Sequence, residues 1–117
     1  MNVQFWETSS GDCPVVNFID GLPAKTQEKI MWILELFEQY GTKLIYTKHM
    51  KKLKGYDLYE LRIKFNNAIY RILLMIVETS SWLLHIFIKK TDYTPQKEID
   101  IALVRRKLQL NQLDISY

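Results

Sequence analysis

Residues 56–95 read YDLYELRIKFNNAIYRILLMIVETSSWLLHIFIKKTDYTP, and this stretch decides the fold. It divides into three β-rich runs, interrupted at Asn66-Asn67 and again at Thr79-Ser80-Ser81. Asparagine tolerates the positive φ that a two-residue hairpin turn demands, so the runs are expected to form an antiparallel three-stranded meander. In the first run Tyr59, Leu61, Ile63 and Phe65 share one face and Glu60, Arg62 and Lys64 the other, because successive strand side chains alternate. With Asn66-Asn67 as the loop, Phe65 faces Ala68, and counting back along the ladder sets Arg62 opposite Arg71. A Thr79-Ser80 loop would bring Ile86, Ile88 and Lys90 onto that same face, whereas a three-residue loop would bring Lys89 there instead.

Like charges directly opposite on a sheet cost a few tenths to about 1 kcal/mol per pair. Glu60 is the one local counter-charge for Arg62, Lys64, Arg71 and a lysine from Lys89-Lys90. Taken singly, Arg62 and Lys64 read as solvated residues on the open face of a half-buried strand. Arg71 does not, since it interrupts the apolar run from Ala68 to Val77, where a cation is costly unless paired or functional. Together these cations suit a polyanionic ligand.

The rest of the chain bounds what that ligand can meet. At 117 residues and 48% hydrophobic, the sequence fits a single domain over residues 1–117 with a modest core. A net charge of +3 agrees with a polyanionic partner without demanding one. The single cysteine, Cys13, and the lack of a leader-like start lead us to expect a reducing, cytoplasmic setting. The longest apolar run, Ile69 to Val77, is too short for a membrane span.

Residues 2–7 alternate as a strand, placed at one side of the meander. A short helix is expected over Pro14 to Asp20, with Asp12 as its cap and Gly21 in the left-handed position behind it. Pro23 opens a longer helix to Tyr40, with Ile30, Ile33, Leu34 and Phe37 at helical spacing and Gly41 closing it. The two helices should pack as a hairpin on one sheet face. Residues 44–46 read as a short strand or an ordered loop, and Lys48, Lys51, Lys52 and Lys54 as RNA-binding contacts to phosphates. Thr94 as cap and Pro95 at the first position announce a third helix, acidic early and basic late as the helix dipole favours, with a frayed tail from residue 111. The fold class is α+β: a strand and helical hairpin on an antiparallel meander, followed by a C-terminal helix.

His49 and His85 are the only histidines, and no HExxH, CxxC, GxSxG or phosphate-binding glycine loop occurs, so neither metal nor cofactor is expected. His85, alternating with Phe87, reads as a buried, hydrogen-bonded residue. RNA carries its own nucleophile in the 2′-hydroxyl. Cleaving it requires alignment, cations for the crowded phosphorane and proton-transfer groups, and arginine and lysine supply the second of these.

The segments LYELR, IYRILL, LLHIFIKKT and TP-x-x-EI-x-x-A, in this order and spacing, resemble the RelE/ParE toxin superfamily, and its phage-derived HigB-like branch most. The resemblance runs from about residue 2 to residue 110. It implies the toxin of a type II toxin–antitoxin system: a ribosome-dependent endoribonuclease that cuts mRNA. Its implied partners are the 70S ribosome, mRNA and a helix-turn-helix, HigA-like antitoxin. By motif, Arg62 and Lys64 match base- or phosphate-contacting positions, Arg71 the arginine that stabilises the transition state, and Lys90 a basic position near the leaving group. Lys89 stays the alternative to Lys90, and Tyr93 is nearest to the family's C-terminal acid or base. The ParE branch shares the fold but poisons DNA gyrase, so a gyrase poison, or a non-catalytic RNA-binding homologue, is the alternative function.

Overall fold

The computed structural model describes residues 1–88 and 92–114. Five strands, β1 (Asn2–Phe5), β2 (Met50–Leu53), β3 (Leu58–Phe65), β4 (Ala68–Val77) and β5 (Ser80–Ile88), form one sheet in the order β1-β5-β4-β3-β2. β1 runs parallel to β5, and the other pairs are antiparallel. Helices α1 (Pro14–Asp20) and α2 (Ala24–Tyr40) cover one sheet face, and α3 (Gln96–Gln112) covers part of the other. The architecture is the expected α+β, RelE-like arrangement.

Each face buries what the alternation assigns to it. Leu61, Ile63, Tyr70, Ile72 and Leu74 pack with Ile30, Ile33, Leu34 and Phe37 of α2. On the opposite face Leu58, Leu73, Met75, Trp82 and Phe87 pack with Ile99, Ala102 and Leu110 of α3. Asn66 and Asn67 sit at φ 49° and 66°, so the β3–β4 turn has the expected two residues, and Arg62 lies directly opposite Arg71.

The β4–β5 pairing departs from the expectation in two steps that offset each other only in part, leaving β5 one residue out of the expected register. The turn is Glu78-Thr79, with Glu78 at φ 56° and Val77 opposite Ser80, one residue earlier than read. A bulge then leaves Leu84 as an extra residue between the Leu74–Leu83 and Leu73–His85 pairs. Phe87 therefore opposes Arg71, and Ile86 turns instead toward the helical hairpin. The Leu84 carbonyl accepts a 2.8 Å hydrogen bond from Arg105 Nη1 of α3, so a distant helix stabilises the irregularity. Lys89 and Lys90, whose facing hung on this turn, lie outside the described residues.

Other local expectations are corrected too. Gly21 is right-handed at φ −82°, and it is Gly41, at φ 58°, that needs glycine's freedom. Neither Asp12 nor Thr94 caps a helix: Asp12 accepts from the Ser10 hydroxyl at 3.4 Å, and the Thr94 hydroxyl donates to Glu60. Residues 44–46 are neither strand nor loop but belong to a 3₁₀ helix, Gly41–Tyr46. α3 extends to Gln112, past the expected start of a frayed tail.

α3 is fastened to the sheet by a polar cluster beneath it. His85 Nε2 lies 2.9 Å from Glu98 Oε2, His85 Nδ1 lies 3.4 Å from Arg105 Nη1, and the His85 ring stacks on Phe87. Burial lowers the His85 pKa, with Arg105 adding to the effect and Glu98 opposing it. Burial likewise lowers that of His49. A histidine whose folded pKa lies below the unfolded 6.5 stays neutral in the fold while the unfolded chain takes up a proton. Stability should thus be fully present above pH 6.5 and fall as pH drops from 6.5 through the lowered folded values. Denaturant unfolding at pH 7.5 and 5.5 should show the loss, and His85→Gln should reduce it. Greater stability at pH 5.5 would contradict the assignment.

Candidate functional site

The facing arginines are treated very differently by the fold. Arg71 is 0% exposed, donates from Nη1 to the Tyr93 carbonyl at 3.2 Å, and lies 3.8 Å from Glu60 Oε1. Glu60, also 0% exposed, receives the Thr94 hydroxyl at 2.9 Å and faces Lys51 Nζ at 3.4 Å. The counter-charge that had to serve the whole cluster is committed to Arg71 and Lys51. Among the described residues it forms no ion pair with Arg62 or Lys64.

Arg62 is half-buried, and its Nε, shielded from solvent, has no hydrogen-bond partner among the described residues. It lines a cleft of about 390 Å³ with Lys64 and Ile69 of the sheet, Lys48 and His49 of the loop before β2, and Lys29 and Trp32 of α2. Among the described residues no carboxylate lines this cleft, and none of the four cations lining it makes an ion pair. Such a surface concentrates positive potential in a concavity, where an anion is drawn in and held.

Local hydrogen bonds place His49 in the cleft wall. The Thr47 hydroxyl donates to the Leu44 carbonyl at 2.6 Å and accepts from the His49 N–H at 3.1 Å, and the His49 carbonyl accepts from the Arg62 N–H at 2.8 Å. The imidazole meets the Trp32 ring edge-on, with centroids 6.1 Å apart. Partial burial, then the charges of Lys48 and Lys29, hold its pKa below the ordinary histidine value. It is therefore neutral at pH 7 and able to accept a proton.

The family model described as "Phage derived protein Gp49-like (DUF891)" matches residues 17–107, which include all three helices at least in part and the whole of β2 to β5. The chain belongs to the phage-derived Gp49-like family. That family is associated with toxin–antitoxin toxins, related to RelE-like proteins, and so implies an antitoxin partner. None of the curated proteins compared matches the chain. No described helix is long and apolar enough to cross a membrane.

In this Gp49-like chain the sequence-derived residues separate into groups. Arg62, Lys64 and Lys48 converge on the cleft; Lys51 is tied to Glu60, Lys52 lies over the Tyr59 ring, and Lys54 sits at the β2–β3 turn. Arg71 shares the face but is enclosed, and Tyr93, 66% exposed, holds Arg71 through its backbone carbonyl. The C-terminal basic run is absorbed structurally, with Arg105 bonded to the Leu84 carbonyl and Arg106 to Asp57 at 2.8 Å. Lys29, Trp32 and His49 were missed as site residues. The available signal was a tryptophan off the apolar stripe of α2, three residues after a lysine, and a histidine next to Lys48. Among the described residues, no three of His, Cys, Asp and Glu converge as metal ligands would.

Proposed function

We propose that the protein is the toxin of a type II toxin–antitoxin pair, of the HigB-like kind, and cleaves mRNA on the ribosome. The carrying observation is the cleft in which Arg62, Lys64, Lys48 and Lys29 stand beside a neutral His49, with no carboxylate among the described residues that line it. In this reading His49 accepts the proton of the 2′-hydroxyl as its oxygen attacks phosphorus. Arg62 and the lysines stabilise the phosphorane, whose extra negative charge preorganised cations favour over the ground state. The P–O5′ bond breaks, the departing oxygen takes up a proton, and the products are a 2′,3′-cyclic phosphate and a 5′-hydroxyl. Tyr93 or Lys90 is the family-derived candidate for that proton, and Lys64 and Lys89 for contacts to RNA.

Arg71 acts at one remove. Enclosed beside Glu60, it holds the Tyr93 backbone, and so the 92–95 segment, against the sheet. A HigA-like helix-turn-helix antitoxin is the proposed partner, restraining the toxin in the cytoplasm.

Expression without the antitoxin should halt incorporation of labelled amino acids before any DNA break appears. Breaks in DNA with translation intact would favour gyrase as target and overturn the proposal. Cleavage in vitro should carry a kcat/KM limb that falls with acidity at a pH below 6.5, because the lowered His49 pKa sets where the base is lost. His49→Gln should lower the rate about 10²-fold or more and abolish that limb. An unchanged limb in His49→Gln would remove His49 from the mechanism.

A further inference from the structure

The cation contacts account for phosphate but leave Trp32 without a role. Trp32 is 46% exposed, whereas the other two tryptophans, Trp6 and Trp82, are 7% and 8% exposed. Its neighbours on the apolar stripe, Ile30, Ile33 and Leu34, supply the core contacts of α2. An exposed indole on a helix that already has its docking face contributes little to folding. It forms a wall of the cleft, with Lys29 Nζ 4.4 Å above the ring centroid and His49 against its edge. A flat π-surface flanked by cations that track a phosphate backbone is the arrangement by which proteins hold unpaired nucleotides.

We propose that Trp32 is the stacking platform for one unpaired base of the RNA strand whose phosphates lie along Arg62, Lys64 and Lys48. The inference takes its ligand class from the ribonuclease reading and assigns a residue that the chemistry of cleavage does not use. Lys29 swings from the indole face to a phosphate as the base takes its place. Stacking is largely indifferent to base identity, so Trp32 registers the presence of an unstacked base and sets the strand's depth in the cleft.

A short 2′-O-methyl oligoribonucleotide, which cannot be cleaved through a 2′-hydroxyl, is the probe. Binding should quench tryptophan fluorescence in the wild type, and the quench should vanish in Trp32→Ala. Anisotropy of a labelled strand should show Trp32→Ala binding about tenfold more weakly, as expected for the loss of one stacked base, and Trp32→Phe close to wild type. An abasic strand of equal length should bind the wild type as weakly as the full strand binds Trp32→Ala. Equal binding of abasic and base-bearing strands, or undiminished binding by Trp32→Ala, overturns the inference. If the wild type cleaves RNA while binding is independent of Trp32, only this assignment fails; if it neither binds nor cleaves RNA, the ribonuclease reading fails with it.

Discussion

Arg62→Ala should lower the rate of mRNA cleavage on programmed ribosomes about 10²–10³-fold, the loss typical when one preorganised donor to a developing oxyanion is removed. The same substitution should move the unfolding midpoint little. Among the described residues Arg62 forms no ion pair, and its Nε has no hydrogen-bond partner whose bond would be lost. Removing it also relieves the like-charge contact with Arg71, worth a few tenths to about 1 kcal/mol. Arg62→Lys keeps the charge but not the planar fork and should recover part of the rate. Loss of activity with retained stability is the pattern that separates a site residue from a structural one. A folded Arg62→Ala protein that cleaves at the wild-type rate would place the chemistry elsewhere.

The second large effect falls on stability. Glu60→Ala should destabilise the fold by about 3–5 kcal/mol, because it removes the buried carboxylate that lies 3.8 Å from the enclosed Arg71 guanidinium. Arg71→Ala should be costly in the same way, leaving Glu60 buried with Lys51 and the Thr94 hydroxyl as its partners among the described residues. The paired replacement Glu60→Leu with Arg71→Met removes both charges while filling similar volume, and its cost should be well below the sum of the single changes. Urea titration of the wild type, Glu60→Leu, Arg71→Met and the double variant measures this coupling. Additive single effects would mean that the 3.8 Å contact carries no energy. One consequence bears on function: loss of toxicity in Arg71→Ala reports an altered fold as readily as lost chemistry, so Arg62 is the residue to test first.

Much of this was legible in the sequence where a local rule was sufficient. The two asparagines fix a two-residue turn, and once that turn is fixed the register of Arg62 with Arg71 is arithmetic. The starts of α1 and α2 follow from Pro14 and Pro23 in the same local way, whereas α1 ends at Gly21 without the left-handed conformation expected there. The facing of β5 was not legible, since it depends on a bulge whose displaced carbonyl is satisfied by Arg105, 21 residues later. β2 was hidden because a lysine-bearing edge strand shows no clean alternation; its charges also discourage pairing with another chain. Nor could alternation distinguish Glu60 and Arg71, both enclosed, from Arg62 and Lys64, which share their face but line a cleft. That difference comes from Thr94 and the Tyr93 carbonyl closing over one end of the strand pair. The cleft itself joins α2, the loop before β2 and the sheet, three segments whose meeting is a tertiary fact.

The most direct measurement is the chemistry of the cut ends of a defined mRNA incubated with ribosomes and purified protein. The account predicts fragments ending in a 2′,3′-cyclic phosphate paired with fragments beginning in a 5′-hydroxyl, formed by the wild type and nearly absent with Arg62→Ala. Intact mRNA, or cuts that persist undiminished when Arg62 is removed, would contradict it.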